Sequence, residues 1–400
     1  METALLKVQT DLLDALDRGS TAVLVLLDLS AAFDTLDHSI LLQRLEKSFG
    51  VTSSALDWLR SYLKGRHQCV AVQSATSTES PLAFGVPQGS VLGPKLYCMY
   101  TRAVGDIVRR HGLTHHIYAD DTQAYIVIEP NTIWEDTATK IEACVMEIKQ
   151  WMSENLLKLN DDKFEYIVFY PRHRPTQTAD LSLSLGDTVF TPVSHVRNLG
   201  VVQDCCLTME RQVNAISRSC YHQLRMIGKI RKYLTVDACK SLVQSSVTSR
   251  LDYANSLLYG LPQTLTSRLQ RVQNAAARII TRTPRKQHIT PVLVELHWLP
   301  VEYRPRYKVL LLTYKALNEA APAYIRDLLE IYQPPRQLRS STKYSLRVPR
   351  TKTSTYGERI FRRSAAVLWN NLPDAIKHAS SLTSFKSQLK THLFKLAYQL

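Results

Sequence analysis

Asp120 and Asp121 sit side by side between two short apolar runs, His116-Ile117-Tyr118 and Ala124-Tyr125-Ile126-Val127-Ile128. Acidic residues bounded by strand-like runs predict a β-hairpin with the acids at its tip. Two carboxylates on a rigid tip can hold a divalent metal if a third carboxylate lies close. Asp28 is the candidate, because it ends the continuous apolar run Ala22-Val23-Leu24-Val25-Leu26-Leu27. A run of that length without alternation predicts a central strand buried on both faces. Magnesium takes hard oxygen ligands, usually one or two carboxylates plus substrate phosphates. Two such ions about 3.5–4 Å apart can clamp the attacking and leaving oxygens of a phosphoryl transfer.

The remaining pattern places that triad in an α+β layer. Apolar residues at helical spacing predict helices over 3–17, 40–49, 54–63, about 91–110 and 134–155. Gln68–Gln73 alternates and reads as a strand, as does Phe164–Tyr170, and short strands follow to about Val202. From roughly Met209 to Thr281 the pattern is helical, and a last helix fits Leu382–Tyr398. The expected fold is therefore an antiparallel sheet with helices on one face, followed by a mainly helical region and a basic C-terminal region. In such a layer the end of the Asp28 strand meets the hairpin tip. Three carboxylates gathered there repel one another, and bound cations would relieve the repulsion. Without metal, one carboxyl should titrate above its usual range.

Charge divides the chain. Residues 1–240 hold 25 Lys+Arg against 27 Asp+Glu, a balance of −2, whereas residues 241–400 hold 25 against 8, a balance of +17. A basic half joined to a neutral one points to a polyanionic partner, most simply nucleic acid. The stretch Arg336–Arg363 has nine basic residues and one acidic, Glu358. Arg336, Arg339, Lys343, Arg347, Arg350 and Lys352 are the expected phosphate contacts; such contacts position a strand and are salt-sensitive. Tyr344, Tyr356, Phe361 and Trp369 lie among them and either stack on bases or pack in the core. No apolar stretch approaches the roughly 20 residues of a membrane span, and no signal peptide precedes the first helix. Seven cysteines without a CxxC argue against a disulfide framework or a zinc knuckle, and fit a reducing intracellular setting.

The motifs carry a family resemblance. Leu27-Asp28-Leu29-Ser30-Ala31-Ala32-Phe33-Asp34 resembles motif A of the reverse transcriptases of long-interspersed-type, non-LTR retrotransposons. Gly85-Val86-Pro87-Gln88-Gly89-Ser90 resembles motif B, Tyr118-Ala119-Asp120-Asp121 motif C, Leu156–Lys163 motif D, and Asn198-Leu199-Gly200-Val201 the primer-grip motif E. Arg250-Leu251-Asp252-Tyr253 and Leu296-His297-Trp298-Leu299-Pro300 are similar to the thumb and C-terminal region of the Jockey and chicken-repeat branches.

The resemblance implies a polymerase palm over residues 1–205, a helical thumb over 206–283 and a basic C-terminal region over 284–400. It implies an RNA-directed DNA polymerase with two magnesium ions (manganese as an alternative) on Asp28, Asp120 and Asp121. RNA template, DNA primer and deoxynucleoside triphosphates are the implied partners, together with a longer element-encoded protein. Phe33 would select against a 2′-hydroxyl, and Pro87, Gln88 and Gly89 would form the turn against nucleotide and template. Lys163 would protonate the leaving pyrophosphate, with Lys158 as a rival. Leu199 and Gly200 would approach the primer. A cytoplasmic ribonucleoprotein and the nucleus both suit the family.

Family members carry an endonuclease domain and fingers motifs before motif A, whereas only 27 residues precede Asp28. The expectation is an N-terminally truncated polymerase without DNA-nicking activity and with weakened nucleotide binding. The alternatives are a catalytically silent relic that only binds nucleic acid and, less in keeping with motifs B and E, a palm-fold nucleotide cyclase.

Overall fold

The computed structural model describes residues 1–30, 33–87, 89–174, 181–333 and 345–400. They divide into two compact units. One comprises Thr21–Val168 and Arg174–Val196; the other comprises Met1–Ser20, Phe169–His173 and Arg197–Leu400. The fold is mixed α+β with antiparallel pairing and a helical C-terminal half.

The sheet-bearing unit is built on β1 (Thr21–Leu27), β2 (Thr114–Tyr118), β3 (Asp121–Ile128) and β4 (Glu165–Phe169), in the spatial order β4-β1-β3-β2. Ala22, Val23, Leu24 and Val25 are each at most 1% exposed, as expected of a strand covered on both sides. Val23, Val25 and Leu27 share one core with residues of the helices His38–Phe49, Gly93–Tyr100, Arg102–Arg110 and Trp134–Glu154.

Two expectations need correction. The helix predicted over 91–110 is two helices, Gly93–Tyr100 and Arg102–Arg110. Thr101 lies between them and its hydroxyl donates to the Tyr97 carbonyl at 3.0 Å; a threonine bonding back this way competes with the helix ladder. The strand read at Gln68–Gln73 is a narrow ribbon instead. His67–Gln68 pairs with Ser80–Pro81 and Ala71–Val72 with Ala75–Thr76, all of them solvent-exposed. Alternation here has no core face to satisfy.

In the other unit the helix Glu2–Arg18 buries Leu5 and Leu6 in a core shared with Val213, Ile216, Leu251, Leu269 and Phe361. Asp17 fixes its far end, accepting from the backbone N–H groups of Lys352 (2.8 Å) and Thr353 (2.7 Å). A second core gathers Tyr314, Trp369 and Phe385, with Tyr314 stacked on Phe385 at 4.0 Å. Trp369, Phe361 and Tyr356 are 1–2% exposed, so these aromatics pack in the core and are unavailable for stacking on bases. Among the described residues no helix is long and apolar enough to cross a membrane.

Candidate active site

Antiparallel register positions the carboxylates. Leu27 pairs with Thr122, the last pair of this ladder, and Asp28 and Asp121 flank that pair. Across the hairpin Tyr118 pairs with Asp121, leaving Ala119 and Asp120 as a two-residue turn. Ala119 takes φ 53°, a left-handed conformation usually given to glycine. Holding an alanine there costs on the order of 1 kcal/mol.

Motif D reaches Asp28 through the backbone. Leu29–Ser30 pairs with Lys158–Leu159, and the Asn160 N–H donates to the Asp28 carbonyl at 3.0 Å. A short 3₁₀ turn, Asp161–Lys163, follows and delivers the Lys163 ammonium to the Asp28 carboxylate at 2.8 Å. That hydrogen bond, and then the charges of Asp28, Asp120 and Asp121, raise the Lys163 pKa. Lys158 lies in the strand before this turn, where it pairs with Ser30.

Asp121 opens to solvent along much of its side chain. Its carboxyl is nonetheless held above the ordinary range by partial desolvation and then by the charges of Asp120 and Asp28, with Lys163 acting the other way. The three aspartates are thus electrostatic neighbours. They are not drawn into a finished cage: among the described residues no group of three or more His, Cys, Asp or Glu is close enough to hold a metal ion. The donor set still fits a hard divalent cation, since it is all carboxylate oxygen and carries a mutual repulsion that the Lys163 ammonium partly offsets.

The motif A and motif B segments are zipped together. Val86 N–H donates to the Phe33 carbonyl at 2.9 Å, Gly85 N–H to the Leu36 carbonyl at 2.7 Å, and His38 Nε2 lies 2.7 Å from the Gly85 carbonyl. Gly85 takes φ +84°, and a Cβ there would fall 2.8 Å from the Phe33 carbonyl oxygen, so only glycine fits. Phe33 lies 5.1 Å from Tyr97, ring centre to ring centre. Tyr97 is fully buried, and its hydroxyl has no hydrogen-bond partner among the described residues. Burial, followed by the charges of Asp120, Cys98 and Asp28, pushes that hydroxyl far above the usual phenol range. Pro87 is half-buried; the Ser90 N–H donates to its carbonyl, and the Ser90 hydroxyl accepts from the Gly93 N–H at the head of the next helix. Gly89 is needed for its φ of +80°, because a Cβ there would meet open space. Gln88 lies outside the described residues.

A reverse transcriptase (RNA-dependent DNA polymerase) family model matches residues 5–202, spanning every element of this acidic corner. The chain carries a reverse transcriptase domain. Its relatives include non-LTR retrotransposon polymerases of Drosophila melanogaster. The probable RNA-directed DNA polymerase from transposon BS is 26% identical over 68% of this chain, and that from transposon X-element is 27% identical over 69%. The RNA-directed DNA polymerase from mobile element jockey is 24% identical over 68%. The chain spans only 30%, 30% and 29% of their respective lengths. Among solved structures, telomerase from Candida albicans, in complex with a TWJ fragment of telomeric RNA, aligns with 74% of this chain and 52% of its own. The identity is 14% and the TM-score 0.33, a likeness too slight to build on.

The remaining expected contacts belong to the other compact unit. Leu199 and Gly200 form a two-residue turn with φ 42° and +81° between the strands His195–Asn198 and Val201–Asp204. The Tyr253 hydroxyl donates to the Leu199 carbonyl at 2.7 Å. Arg347 pairs with Glu330 at 3.0 Å, Arg350 is exposed, and Lys352 is exposed with its backbone N–H on Asp17. Arg336, Arg339, Lys343 and Tyr344 lie outside the described residues.

Sequence reasoning missed another cationic surface. The helix Glu210–Ile230 buries Val213, Ile216, Cys220, Leu224 and Ile227 and exposes Arg211, Arg218, His222, Arg225 and Lys229. At 3.6 residues per turn these five share one face, over roughly 27 Å. None of them forms an ion pair with a described residue. The seven-residue spacing of the arginines was visible in the sequence, but the near-zero balance of residues 1–240 hid it.

Proposed function

We propose that this chain performs template-guided transfer of a deoxynucleotide to a primer 3′-hydroxyl, with release of pyrophosphate. The observation that supports the proposal is the Leu27–Thr122 pair flanked by Asp28 and Asp121, with the Lys163 ammonium on Asp28 and the charges of Asp120 and Asp28 acting on Asp121, inside a reverse transcriptase domain. Asp28, Asp120 and Asp121 would hold the divalent ions. Two such ions, when bound, supply Lewis-acid stabilisation of the attacking and leaving oxygens. Lys163 holds a proton beside these carboxylates, where it can be passed to the departing pyrophosphate. Phe33, backed by Tyr97, sets a rigid wall at the motif A turn, suited to excluding a 2′-hydroxyl. Gly85 and Pro87 fix the approach of that wall to the motif B helix. The stripe from Arg211 to Lys229 and the exposed Arg350 offer phosphate contacts for template and primer. The palm, thumb and basic C-terminal division remains part of this proposal.

Primer extension on an RNA template with magnesium tests it, with Asp120→Ala as control. Absence of incorporation counts against the reading. One observation favours a second reading, a nucleic-acid binder without catalysis: the three carboxylates are not drawn into a cage. Binding that falls steeply with salt and is indifferent to Asp120→Ala, in a protein that never extends a primer, would support that alternative.

A further inference from the structure

The two segments resembling the thumb and C-terminal region, Arg250–Tyr253 and Leu296–Pro300, have no part in the chemistry above. They nevertheless converge. Arg304 donates to both carboxylate oxygens of Asp252, at 2.8 and 2.9 Å, and to the Leu299 carbonyl at 3.1 Å. This clasp closes one side of a cleft of about 430 Å³, within the range of small-ligand sites.

The cleft combines three kinds of wall. Trp298 and Tyr307 line it, and Trp298 also packs against the neighbouring apolar cores, which hold its ring in place. Arg304, Lys308 and Lys390 supply positive charge. Asp252 answers Arg304 and Glu2 answers Lys308 at 3.2 Å, while Lys390 is exposed and forms no ion pair with a described residue. Asn255, on the same wall, is 3% exposed; its amide oxygen is buried without a partner among the described residues. Two uncommon backbone features border the cleft as well. Gln244–Thr248 is a π-helical turn, and His297 takes φ 52°. Both features concentrate where proteins bind ligands.

An anchored aromatic face, a surplus cation and side-chain amides make up a receptor for a nucleobase with its phosphate. The geometry points to this cleft as a binding site for one unpaired nucleotide of a single-stranded RNA, with the base on Trp298 and the phosphate near Lys308 and Lys390. The site needs neither metal nor incoming nucleotide, so it stands or falls apart from polymerase activity.

The test uses the full chain and a single-stranded RNA decamer containing 5-iodouridine, without metal, at 0.3 M salt, where phosphate-only contacts are weakened. Crosslinked peptides should contain Trp298 or Tyr307. By fluorescence anisotropy, Trp298→Leu should weaken binding roughly tenfold, while Trp58→Leu, on an exposed helix face, should leave it unchanged. Should Trp298→Leu not fold, Lys390→Glu at its exposed position carries the test, with a severalfold loss expected. Crosslinks confined to other peptides, or wild-type affinity in the folded variant, overturn the assignment. So does displacement of the RNA from this cleft by an oligoglutamate peptide at equal concentration, which would mark an acidic protein segment as the occupant.

Discussion

Asp28, Asp120 and Asp121 stand in contrast to Asp17 and Asp204. Asp204 accepts from the N–H groups of Cys206, Thr208 and Met209 and from the Thr208 hydroxyl, at 2.9–3.2 Å. Asp17 is likewise wrapped by the Lys352 and Thr353 N–H groups and the Thr353 hydroxyl. These aspartates sit where their charge is fully answered by the chain. In the acidic corner Asp28 meets one flexible ammonium and Asp121 faces two like charges. The difference teaches how the two kinds can be told apart. A structural carboxylate is saturated with backbone donors, whereas one proposed to act on a ligand is left with acceptor capacity and a shortage of positive charge.

The contrast is sharpest under mutation. Asp120→Ala should abolish primer extension, by 10²–10³-fold or more, while leaving stability within about 0.5 kcal/mol; single-turnover extension and urea unfolding measure the two. Asp204→Ala should do the reverse. It strips the start of the helix Glu210–Ile230 of its acceptor and should cost about 2–4 kcal/mol in urea unfolding. Equal stability losses for the two variants would erase the distinction. Gly85→Ala belongs between them, costing about 1–3 kcal/mol and slowing extension, because the motif A and B segments must part to admit the methyl.

Smaller effects refine the comparison. Replacing Arg211, Arg218, Arg225 and Lys229 with Gln should lower the salt slope of duplex binding by about 0.9 for each phosphate that is no longer neutralised, as read from titrations at several salt concentrations. The smallest effect is in pH. His111 and Arg110 hold the Glu147 carboxyl below its ordinary range. Its stabilising contribution is therefore present above the unfolded-state pKa and lost as pH falls through the lower folded value. Glu147→Gln should flatten the acid limb of melting temperature against pH, by a small margin because the pair is exposed.

The sheet and its acidic hairpin were legible because they rest on local signals. An unbroken apolar run specifies a strand buried on both sides, and an acid pair between two runs specifies a hairpin. The rest depended on what is distant or chemically silent. Nothing in the sequence near Phe33 announces that its carbonyl crowds Gly85, or that Tyr97 is sealed beneath it. Thr101 divides a helix whose apolar periodicity runs through it unbroken. The stripe on the helix Glu210–Ile230 was written in arginines seven apart, yet charge counted over a long window averaged it away. The helix Glu2–Arg18 joins the unit of residues 197–400 through partners such as Ser256 and Thr353, which no local window can supply.

That last attachment has a consequence for biosynthesis. A ribosome makes the first helix long before Thr353 leaves the exit tunnel, on the order of half a minute earlier at typical rates. Throughout that interval Leu5 and Leu6 lack part of their final cover, which includes Phe361 and Ala365. Nascent chains stalled short of residue 353 should therefore recruit chaperones to the helix Glu2–Arg18, and release from them should coincide with emergence of the segment around Thr353.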